Sequence, residues 1–274
     1  RPLEVVAVDS GSTDGSRELL ARRAHLVLDE APERFGHGRT RNRAVAAAAG
    51  EPVVLLVQDA IPADRRCLAE LVAVLESDGG LAGAFARQLP HPASGRLERA
   101  ALHRWVASSE APRVVSLAGR TELEALTPMQ RVHRCAFDNV ASAVRRRVWA
   151  EHPFPEADIA EDLLWGREVL LAGWRLAYVP SAAVLHCHRL SPGAELDRTR
   201  RTHHQLARAF GLVTVPTVAA LVRAVAATAA DHLRILRGGE GPRPTAADRQ
   251  RAAALAVVWP LGQYLGGRAG RRAP

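Results

Sequence analysis

VVAVDSGSTDGS, residues 5–16, carries the clearest structural signal in the amino-acid sequence. A run of apolar β-forming residues ends at Asp9, and small polar residues, two glycines and Asp14 follow it. An uninterrupted apolar run is typical of a strand that is buried on both faces of a parallel sheet. Aspartate is also a favoured residue in turns and at the start of helices. The residues alone therefore leave Asp9 with two interpretations, a turn residue or a ligand for a bound molecule.

The same pattern continues outward through the first ninety residues. Apolar runs alternate with segments of helical periodicity, and Gly50 follows one of these segments at a position typical of a helix end. This alternation predicts an α/β fold with a mostly parallel sheet that helices flank on both faces. The predicted strands are 3–9, 24–30, 52–60 and 81–89, and the predicted helices are 14–23, 40–50 and 63–77.

The character of the sequence changes in its last third. A helix and then a strand over 160–190 still fit the α/β pattern, but helical segments rich in Ala and Arg follow. Glycines and prolines at 238–244 predict a flexible linker, and Pro260 is expected to interrupt the last helix. We expect a core over 1–190 and a C-terminal helical extension over 191–274, which ends in a disordered tail, GRAGRRAP.

The composition is that of an ordinary globular domain, with 274 residues, 47% of them hydrophobic and 24% charged. The net charge is +8, and all 37 basic residues are arginines. They are spread along the chain without a helix-turn-helix, aromatic platform or zinc motif, which argues against a nucleic-acid partner. No signal peptide is evident, and no apolar run reaches the roughly 20 residues of a spanning helix. The three cysteines match no disulfide framework, so we expect a reducing, cytoplasmic location.

Two predicted strands end in a carboxylate, and a third predicted strand carries a histidine pair. Asp9 and Asp59 are expected at the carboxyl ends of strands on one edge of the same sheet, where open α/β sheets bind their ligands. His186 and His188 are two residues apart in a predicted strand, so their side chains point to the same face. Such a pair near an acidic edge predicts half of a metal site, although two partly exposed strand histidines would give the same pattern.

Acidic residues also open a predicted helix, in the sequence AEDLLWG. Glu161 and Asp162 are its first residues, where their charges would complement the helix dipole. The alternative interpretation is a general base at a helix N-terminus that faces a cleft. Because neighbouring residues point in different directions, we expect only one of the two to carry out chemistry.

FGHGRTRNRAV, residues 35–45, is a loop that leads into another predicted helix. Its polar residues include His37, Arg41 and Asn42. Backbone amides at a helix N-terminus, together with arginine, can hold a phosphate group. Glycine-flanked loops of this kind are common without a ligand, so the segment is a weak signal when taken alone.

Together these segments resemble the inverting glycosyltransferases of family 2 with a GT-A fold, especially their rhamnosyltransferase-like branch. The resemblance implies a Rossmann-like core that transfers a rhamnose-like sugar from a nucleoside-diphosphate sugar to a polysaccharide or lipid-linked acceptor, in cell-surface glycan synthesis. The matching segments occur in family order within residues 1–190: VVAVDSGSTDGS, FGHGRTRNRAVAAAAGEPVVLLVQDAIPAD, AFARQLP, FDNVASAVRRRVW and AEDLLWGREVLLAGWRLAYVPSAAVLHCH.

The resemblance also implies roles for single residues. Asp162, beside Glu161, would be the general base that deprotonates the acceptor hydroxyl. Asp59, within QDA, would be the carboxylate of the family's Asp-x-Asp motif, and His186 or His188 would complete a site for Mg²⁺ or Mn²⁺. The residues implied to bind the donor are Asp9 at the nucleotide, Ser12 and Asp14 in its turn, His37, Arg41 and Asn42 near the diphosphate, Gln58, and Arg87 and Gln88 in the sugar pocket.

The sequence departs from the family pattern in two places. The family normally begins with another strand and a Pro-x-x-Asn turn, whereas residues 5–16 correspond to its second strand. The resemblance thus implies an N-terminally truncated core that lacks part of the donor pocket. QDA, residues 58–60, also keeps a single carboxylate of the metal motif.

Two other functions stay open, a sugar nucleotidyltransferase and a non-catalytic binding protein that has lost its donor site. HGRTRN and the order of the ED and HCH segments argue against the nucleotidyltransferase. The C-terminal helical segments carry no motif. Their apolar faces with flanking arginines predict packing on the core, or alternatively peripheral contact with an anionic membrane at the inner face of the plasma membrane.

Overall fold

The computed structural model describes residues 2–157 and 159–272. Within these residues, apolar runs form strands and segments of helical periodicity form α-helices, much as the sequence predicts. The strands are β1 (Val6–Asp9), β2 (Leu26–Asp29), β3 (Pro52–Leu56), β4 (Ile61–Pro62), β5 (Leu81–Pro90), β6 (Arg113–Val115), β7 (Ala141–Arg145) and β8 (Arg175–His186). The helices are α1 (Ser16–Arg23), α2 (His37–Ala47), α3 (Cys67–Ser77), α4 (Arg96–His103), α5 (Arg120–Ala125), α6 (Pro128–Arg134), α7 (Arg146–Glu151), α8 (Glu161–Leu171), α9 (Pro192–Phe210), α10 (Val218–Gly238) and α11 (Ala246–Arg272).

The larger sheet has the strand order β3-β7-β5-β8-β4, and β6 also pairs with β8. Only β5 and β8 pair in parallel in this sheet, whereas β7 is antiparallel to both of its neighbours and β4 and β6 are antiparallel to β8. The predicted α/β class with flanking helices is confirmed, but the prediction of a mostly parallel sheet is wrong. Apolar runs report burial on both faces and not strand direction, so the insertion of β7 between β3 and β5 left no signal in the sequence.

The strands β1 and β2 form a separate, parallel two-stranded sheet. Among the described residues, β1 pairs only with β2 and β3 pairs only with β7, so Asp9 and Asp59 do not follow strands of one common sheet. The expectation that they share a sheet edge is therefore corrected.

The core lies on both faces of the larger sheet because alternate strand residues point to opposite sides. Phe85 of β5 and Tyr178 of β8 point to one side, where their rings stack near Phe137 and where α8 adds the fully buried Trp165. The intervening alanines of these strands point to the other side, which α3 covers with Leu71 and Leu75. Packing on both faces thus fixes the carboxyl-terminal ends of β5 and β8, next to which the site lies.

The C-terminal helices pack closely, and glycines make this possible. A β-carbon on Gly266 would lie 2.2 Å from the carbonyl oxygen of Arg200 in α9, and one on Gly270 would lie 2.5 Å from that of His204. The predicted disorder of GRAGRRAP is therefore wrong as far as Arg272, because its glycines are close helix contacts and not flexible links. Helix α11 also continues through Pro260, since packing on α9 compensates for the missing hydrogen bond. Residues 273–274 lie outside the described residues.

Candidate functional site

Asp59, His186 and His188 form the centre of the site. Their ligand atoms all lie within 4.8 Å of one another. The Asp59 carboxylate is 3.0 Å from Nδ1 of His188 and 3.6 Å from Nε2 of His186, and the two imidazole rings meet edge to face. One carboxylate oxygen and two imidazole nitrogens at this spacing are a suitable partial ligand set for a divalent cation.

The short strand β4 brings these three residues together. Its residue Ile61 pairs with Leu185 of β8, and Pro62 pairs with Val184. Continuing that antiparallel register by two residues sets Asp59 opposite Cys187, between the two histidines. The sequence predicted the pair from its spacing, although β8 ends at His186 and His188 lies just beyond the strand.

A buried hydrogen-bond chain orients His186. Gln88 donates from its amide nitrogen to the Asp138 carboxylate at 2.6 Å, and its carbonyl oxygen lies 2.8 Å from Nδ1 of His186. Trp105 and the backbone amide of Val140 also donate to Asp138. Because a carboxylate only accepts, the amide group of Gln88 must face Asp138 and its carbonyl must face His186. His186 therefore carries its proton on Nδ1, and the lone pair is on Nε2.

That lone pair has no hydrogen-bond partner in the described part of the chain. Nε2 of His186 is buried and accepts no hydrogen bond from any described residue. Burial lowers the pKa of His186, and the charges of Asp59 and Asp138 oppose the shift only in part. A neutral imidazole with a free nitrogen beside a carboxylate is what a metal ligand requires.

A second cluster lies at the start of α8. The buried Glu161 carboxylate accepts from Nη1 of Arg41 at 2.5 Å and from the side chain of Asn139 at 3.4 Å. Arg41 is on α2, so this ion pair joins the two helix N-termini. The glycine at position 38 allows the close approach of α2, because a β-carbon there would lie 2.0 Å from the carbonyl oxygen of Pro155.

Asp162 is next to that ion pair, with a different environment. Its carboxylate accepts from the backbone amides of Leu163 at 2.8 Å and Asn139 at 3.5 Å. Burial raises the pKa of Asp162 well above its usual range, and the charges of Glu161 and Asp138 raise it further. The charge of Arg41, which forms an ion pair with Glu161, lowers the pKa of Asp162 only partly. Of the two neighbouring acids, Asp162 therefore has the properties of a proton acceptor and Glu161 those of a structural ion-pair partner.

The backbone that presents these acids is strained. Ala160, which precedes Glu161, has φ +63° and is the one non-glycine residue with positive φ in the described part of the chain. A left-handed conformation costs an alanine roughly 1–2 kcal/mol. Strain of this kind persists where the surrounding structure fixes it, and it is enriched at functional sites.

Asp138 and Asn139 connect the two clusters into one site. Asp138 holds the Gln88 amide that orients His186, while Asn139 hydrogen-bonds to both Glu161 and Asp162. Neither residue was predicted from the sequence to belong to the site. The available signal was FDNV, a polar pair directly before a buried strand in one of the family-like segments.

The structure gives two predicted donor-binding residues other partners. Asn42 donates to the carbonyl of Phe154 and accepts from Trp149 and the Phe154 amide, so it anchors the segment after α7. Its side chain thus has partners within the protein, and its predicted place near a diphosphate stays a prediction. Gln88 is likewise buried, with its amide group bonded to Asp138 and His186, and its predicted place in the sugar pocket stays a prediction. Buried amides satisfy their polar groups within the protein.

Within residues 5–16, Asp9 has the hydrogen bonds of a turn residue. The buried Asp9 carboxylate accepts from the backbone amides of Gly11 and Ser12. Hydrogen bonding from the side chain and backbone of Ser12, and to a smaller extent from Gly11, lowers the pKa of Asp9. Asp14 accepts from the amide of Ser16 at the start of α1. None of the hydrogen bonds or ion pairs among the described residues links this turn to Asp59 or Asp162. The predicted contact of Asp9 with a nucleotide stays a prediction.

The remaining predicted residues surround the two clusters. Arg87 forms an ion pair with Glu110, and its Nε is buried and has no partner among the described residues. Gln58 is exposed next to Asp59. Desolvation lowers the pKa of His37; the charge of Glu161 opposes this shift, and the charges of Arg41 and Arg198 add to it. The charge of Arg198 in α9 also lowers the pKa of His186. This residue was not predicted from the sequence because its helix carries no motif.

The sheet, its flanking helices and a site of carboxylates and histidines at the ends of β5 and β8 define an α/β domain of the GT-A class. Residues 1–115 match the model of Glycosyl transferase family 2. The match covers 115 of the 274 residues, and over these residues it confirms the resemblance seen in the sequence.

Two relatives named O-antigen chain rhamnosyltransferase are similar over most of the chain. WbaN of Salmonella anatum is 30% identical over 203 residues, and RfbN of Salmonella typhimurium is 32% identical over 201 residues. Each alignment covers 72% of this chain and 61% of the relative. The chain therefore spans about three-fifths of the length of these relatives.

Solved structures share the fold. The mannosyltransferase PcManGT from Pyrobaculum calidifontis, in complex with GDP-Man and Mn²⁺, has a TM-score of 0.50 at 21% identity, covering 95% of this chain and 63% of that chain. Glucosyl-3-phosphoglycerate synthase from Mycobacterium tuberculosis, in complex with Mn²⁺, UDP-Glc and phosphoglyceric acid, has a TM-score of 0.52 at 22% identity, covering 77% and 71%. At these identities the likeness concerns the fold alone.

Proposed function

We propose that the chain is the catalytic part of an inverting glycosyltransferase that moves a rhamnose-like sugar from a nucleoside-diphosphate sugar to a glycan or lipid-linked acceptor. The observation that carries the proposal is the pair of clusters joined by Asp138 and Asn139. One cluster is suited to a divalent cation and a diphosphate, and the other offers a single carboxylate with a raised pKa. The names of the two O-antigen rhamnosyltransferases support the sugar and the pathway.

Asp162 is the proposed general base. It accepts the proton of the acceptor hydroxyl as that oxygen attacks the anomeric carbon of the donor. The bond from that carbon to the diphosphate oxygen breaks, and its electron pair leaves with the nucleoside diphosphate. One displacement from the opposite face inverts the anomeric carbon. A raised pKa suits this role because a base works best when its pKa is close to the working pH.

Asp59, His186 and His188 are the residues that would hold a divalent cation. They fit this role because Nε2 of His186 is buried, unpartnered and in the correct tautomer. When bound, the cation supplies positive charge for the leaving diphosphate. Two imidazole nitrogens beside one carboxylate favour Mn²⁺ over Mg²⁺, because Mg²⁺ strongly prefers oxygen ligands. Arg198 adds fixed positive charge near this cluster.

The test uses the whole chain in two assays. Calorimetry with Mn²⁺ and UDP, GDP or dTDP measures donor-site binding, and release of nucleoside diphosphate from the matching sugar donors measures turnover. Asp59→Ala should abolish the dependence of nucleotide binding on Mn²⁺. Asp162→Asn should leave that binding intact and lower turnover by at least about 100-fold.

Glu33→Gln is the matched control, since Glu33 is an exposed acid outside both clusters. It should change neither binding nor turnover. Full sugar transfer by Asp162→Asn, or Mn²⁺-dependent binding by Asp59→Ala, would contradict the proposed roles. Absence of nucleotide binding by the unaltered chain would favour the non-catalytic alternative.

A further inference from the structure

Helix α10 exposes an apolar face along its whole length. Val218, Val222 and Leu233 are 63%, 66% and 54% exposed. Three alanines of the same helix, Ala219, Ala226 and Ala230, are exposed with them. At 3.6 residues per turn these six side chains lie within about 120° of arc, so they form one continuous stripe.

The opposite face of the helix is already occupied. His232 and Ile235 are buried, and His232 hydrogen-bonds to the carbonyl oxygen of Ala252 and stacks edge-on against Trp259 of α11. The apolar stripe is therefore not the face with which α10 packs on its own protein. Large apolar side chains that remain exposed in a row indicate an interaction surface.

Positive charge borders the stripe. Arg223 and Arg234 lie along one margin, and Arg237 lies at the C-terminal end of the same face. Asp231 is the one acid in Val218–Gly238, and it is neutralised by ion pairs with Arg104 and Arg234. The exposed face of α10 therefore presents apolar and cationic groups without a free anion.

A basic cavity continues this margin. It has a volume of about 450 Å³ and lies between α4 and the end of α10. Arg96, Arg99, His103, Arg104 and Arg234 line it together with the acid Glu240. A cavity of this size and charge can take a phosphate group that approaches from the side of the stripe.

We propose that α10 is a peripheral membrane-binding helix that lies flat on a bilayer rich in anionic phospholipids. An apolar stripe with arginines at its margin is the pattern of helices that bind at the interface of a bilayer. The anionic headgroups complement the arginines, and the valines and the leucine enter the boundary of the acyl chains. None of the described helices combines the length and apolar character needed to span a bilayer, so contact through α10 is contact at the surface.

Vesicle sedimentation tests the proposal directly. The protein should sediment with vesicles of equal parts phosphatidylcholine and phosphatidylglycerol, less so at high salt, and not with phosphatidylcholine alone. The double variant Val222→Asp/Leu233→Asp should lose at least about tenfold in partitioning, and so should Arg223→Glu/Arg237→Glu. All four side chains are exposed, so both variants should fold, which circular dichroism verifies.

The matched control is Leu19→Asp/Arg22→Glu on α1, which changes an exposed leucine and an exposed arginine outside α10. It should bind vesicles as the unaltered protein does. No sedimentation of the unaltered protein, or equal sedimentation of the α10 variants, overturns the proposal. Self-association that the α10 variants abolish, without vesicle binding, would assign the face to a second copy of the chain and also overturn it.

Discussion

The side-chain carbonyl of Gln88 lies 2.8 Å from Nδ1 of His186, and this contact determines which nitrogen of the imidazole is free. Asp138 holds the other end of the Gln88 side chain, so the carboxamide cannot reverse. The free Nε2 next to Asp59 is thus set by Gln88 and Asp138. Groups of this kind commonly tune metal affinity by about 10–100-fold.

Gln88→Met should weaken Mn²⁺ binding by about tenfold or more, because the isosteric side chain can neither accept from Nδ1 nor donate to Asp138. Electron paramagnetic resonance of free Mn²⁺ gives the affinity. Nitrogen-15 NMR of the metal-free protein should show His186 change from one tautomer to a mixture. Gln250→Met, on an exposed position of α11, is the control. An unchanged tautomer in Gln88→Met would refute the orienting role.

Asp162→Asn should stabilise the protein at neutral pH. Because the native pKa is raised, the folded protein binds more protons than the unfolded chain between the usual and the raised pKa. Stability therefore falls as pH rises through that interval, by about 1.4 kcal/mol for each unit of the shift. Urea unfolding at pH 8 should show the variant as the more stable protein, and the difference should vanish below about pH 4.

Asp14→Asn provides a control of opposite sign for that experiment. The hydrogen bonds from Ser16 lower the pKa of Asp14, so its ionised form stabilises the native state. Asp14→Asn should therefore be less stable than the unaltered protein at pH 8 and equal to it in acid. Equal shifts at both pH values for Asp162→Asn would contradict the raised pKa.

Arg41→Met should lower the free energy of unfolding by about 3 kcal/mol, because it leaves Glu161 buried and unpaired. The two side chains are 15% and 5% exposed, so solvent screens the pair weakly. Arg41→Met/Glu161→Gln should recover most of the loss, which denaturant unfolding measures. Arg17→Met, which removes the exposed pair with Asp29, should cost less than about 1 kcal/mol. A double variant as unstable as the single one would show that packing, not charge, is responsible.

Gly38→Ala should destabilise the protein by about 2–3 kcal/mol, because its β-carbon would clash with the Pro155 carbonyl. The clash would also move Arg41 away from Glu161. Gly193→Ala in α9 is the control, since its β-carbon meets no atom within 4 Å. It should be neutral or stabilise by about 0.5–1 kcal/mol through helix propensity. Thermal unfolding compares the two, and equal midpoints would rule out close packing at Gly38.

Cys187 should be the one thiol that a charged disulfide reagent modifies in the folded protein. Burial raises the pKa of Cys135 to about 12 and also raises that of Cys67, and both thiols are enclosed. Cys187 is partly exposed between the two histidines of the site. The Cys187→Ser variant should therefore consume no equivalent of the reagent until denaturant exposes the other two thiols. Labelling of more than one thiol in the native protein would be inconsistent with the described core.

The sequence predicted the elements better than their arrangement. The strands ending near Asp9 and Asp59 and the helix beginning at Glu161 lie close to the predicted positions, because apolar period and turn residues are local signals. The direction of β7 and the separation of β1 and β2 from the larger sheet depend on contacts between distant segments. The glycines of the C-terminal tail were misinterpreted for the same reason, since their partners are in α9.

The residues of the site likewise divide into those that local sequence patterns identify and those that they do not. The histidine pair and the acidic helix start could be identified from spacing, and the structure places both in the site. The roles of Gln88 and Asn42 could not, because their partners lie roughly 50 to 110 residues away. The role of Asp138 could not be predicted without the strand order, which sets β5 between β7 and β8. The cytoplasmic location and the roles proposed for Asp9 and Asp162 stay predictions.

Asp138 and Asn139 are consecutive, and a single peptide bond therefore separates the groups that support the cation cluster from those that support the base. A trans peptide holds consecutive α-carbons about 3.8 Å apart, so the supports of the two functions cannot move apart independently. Loops around the site can exchange one donor or acceptor for another without disturbing that spacing. For protein engineering, Asp138 and Asn139 are the residues to keep unchanged, and the surrounding loops are the segments to redesign.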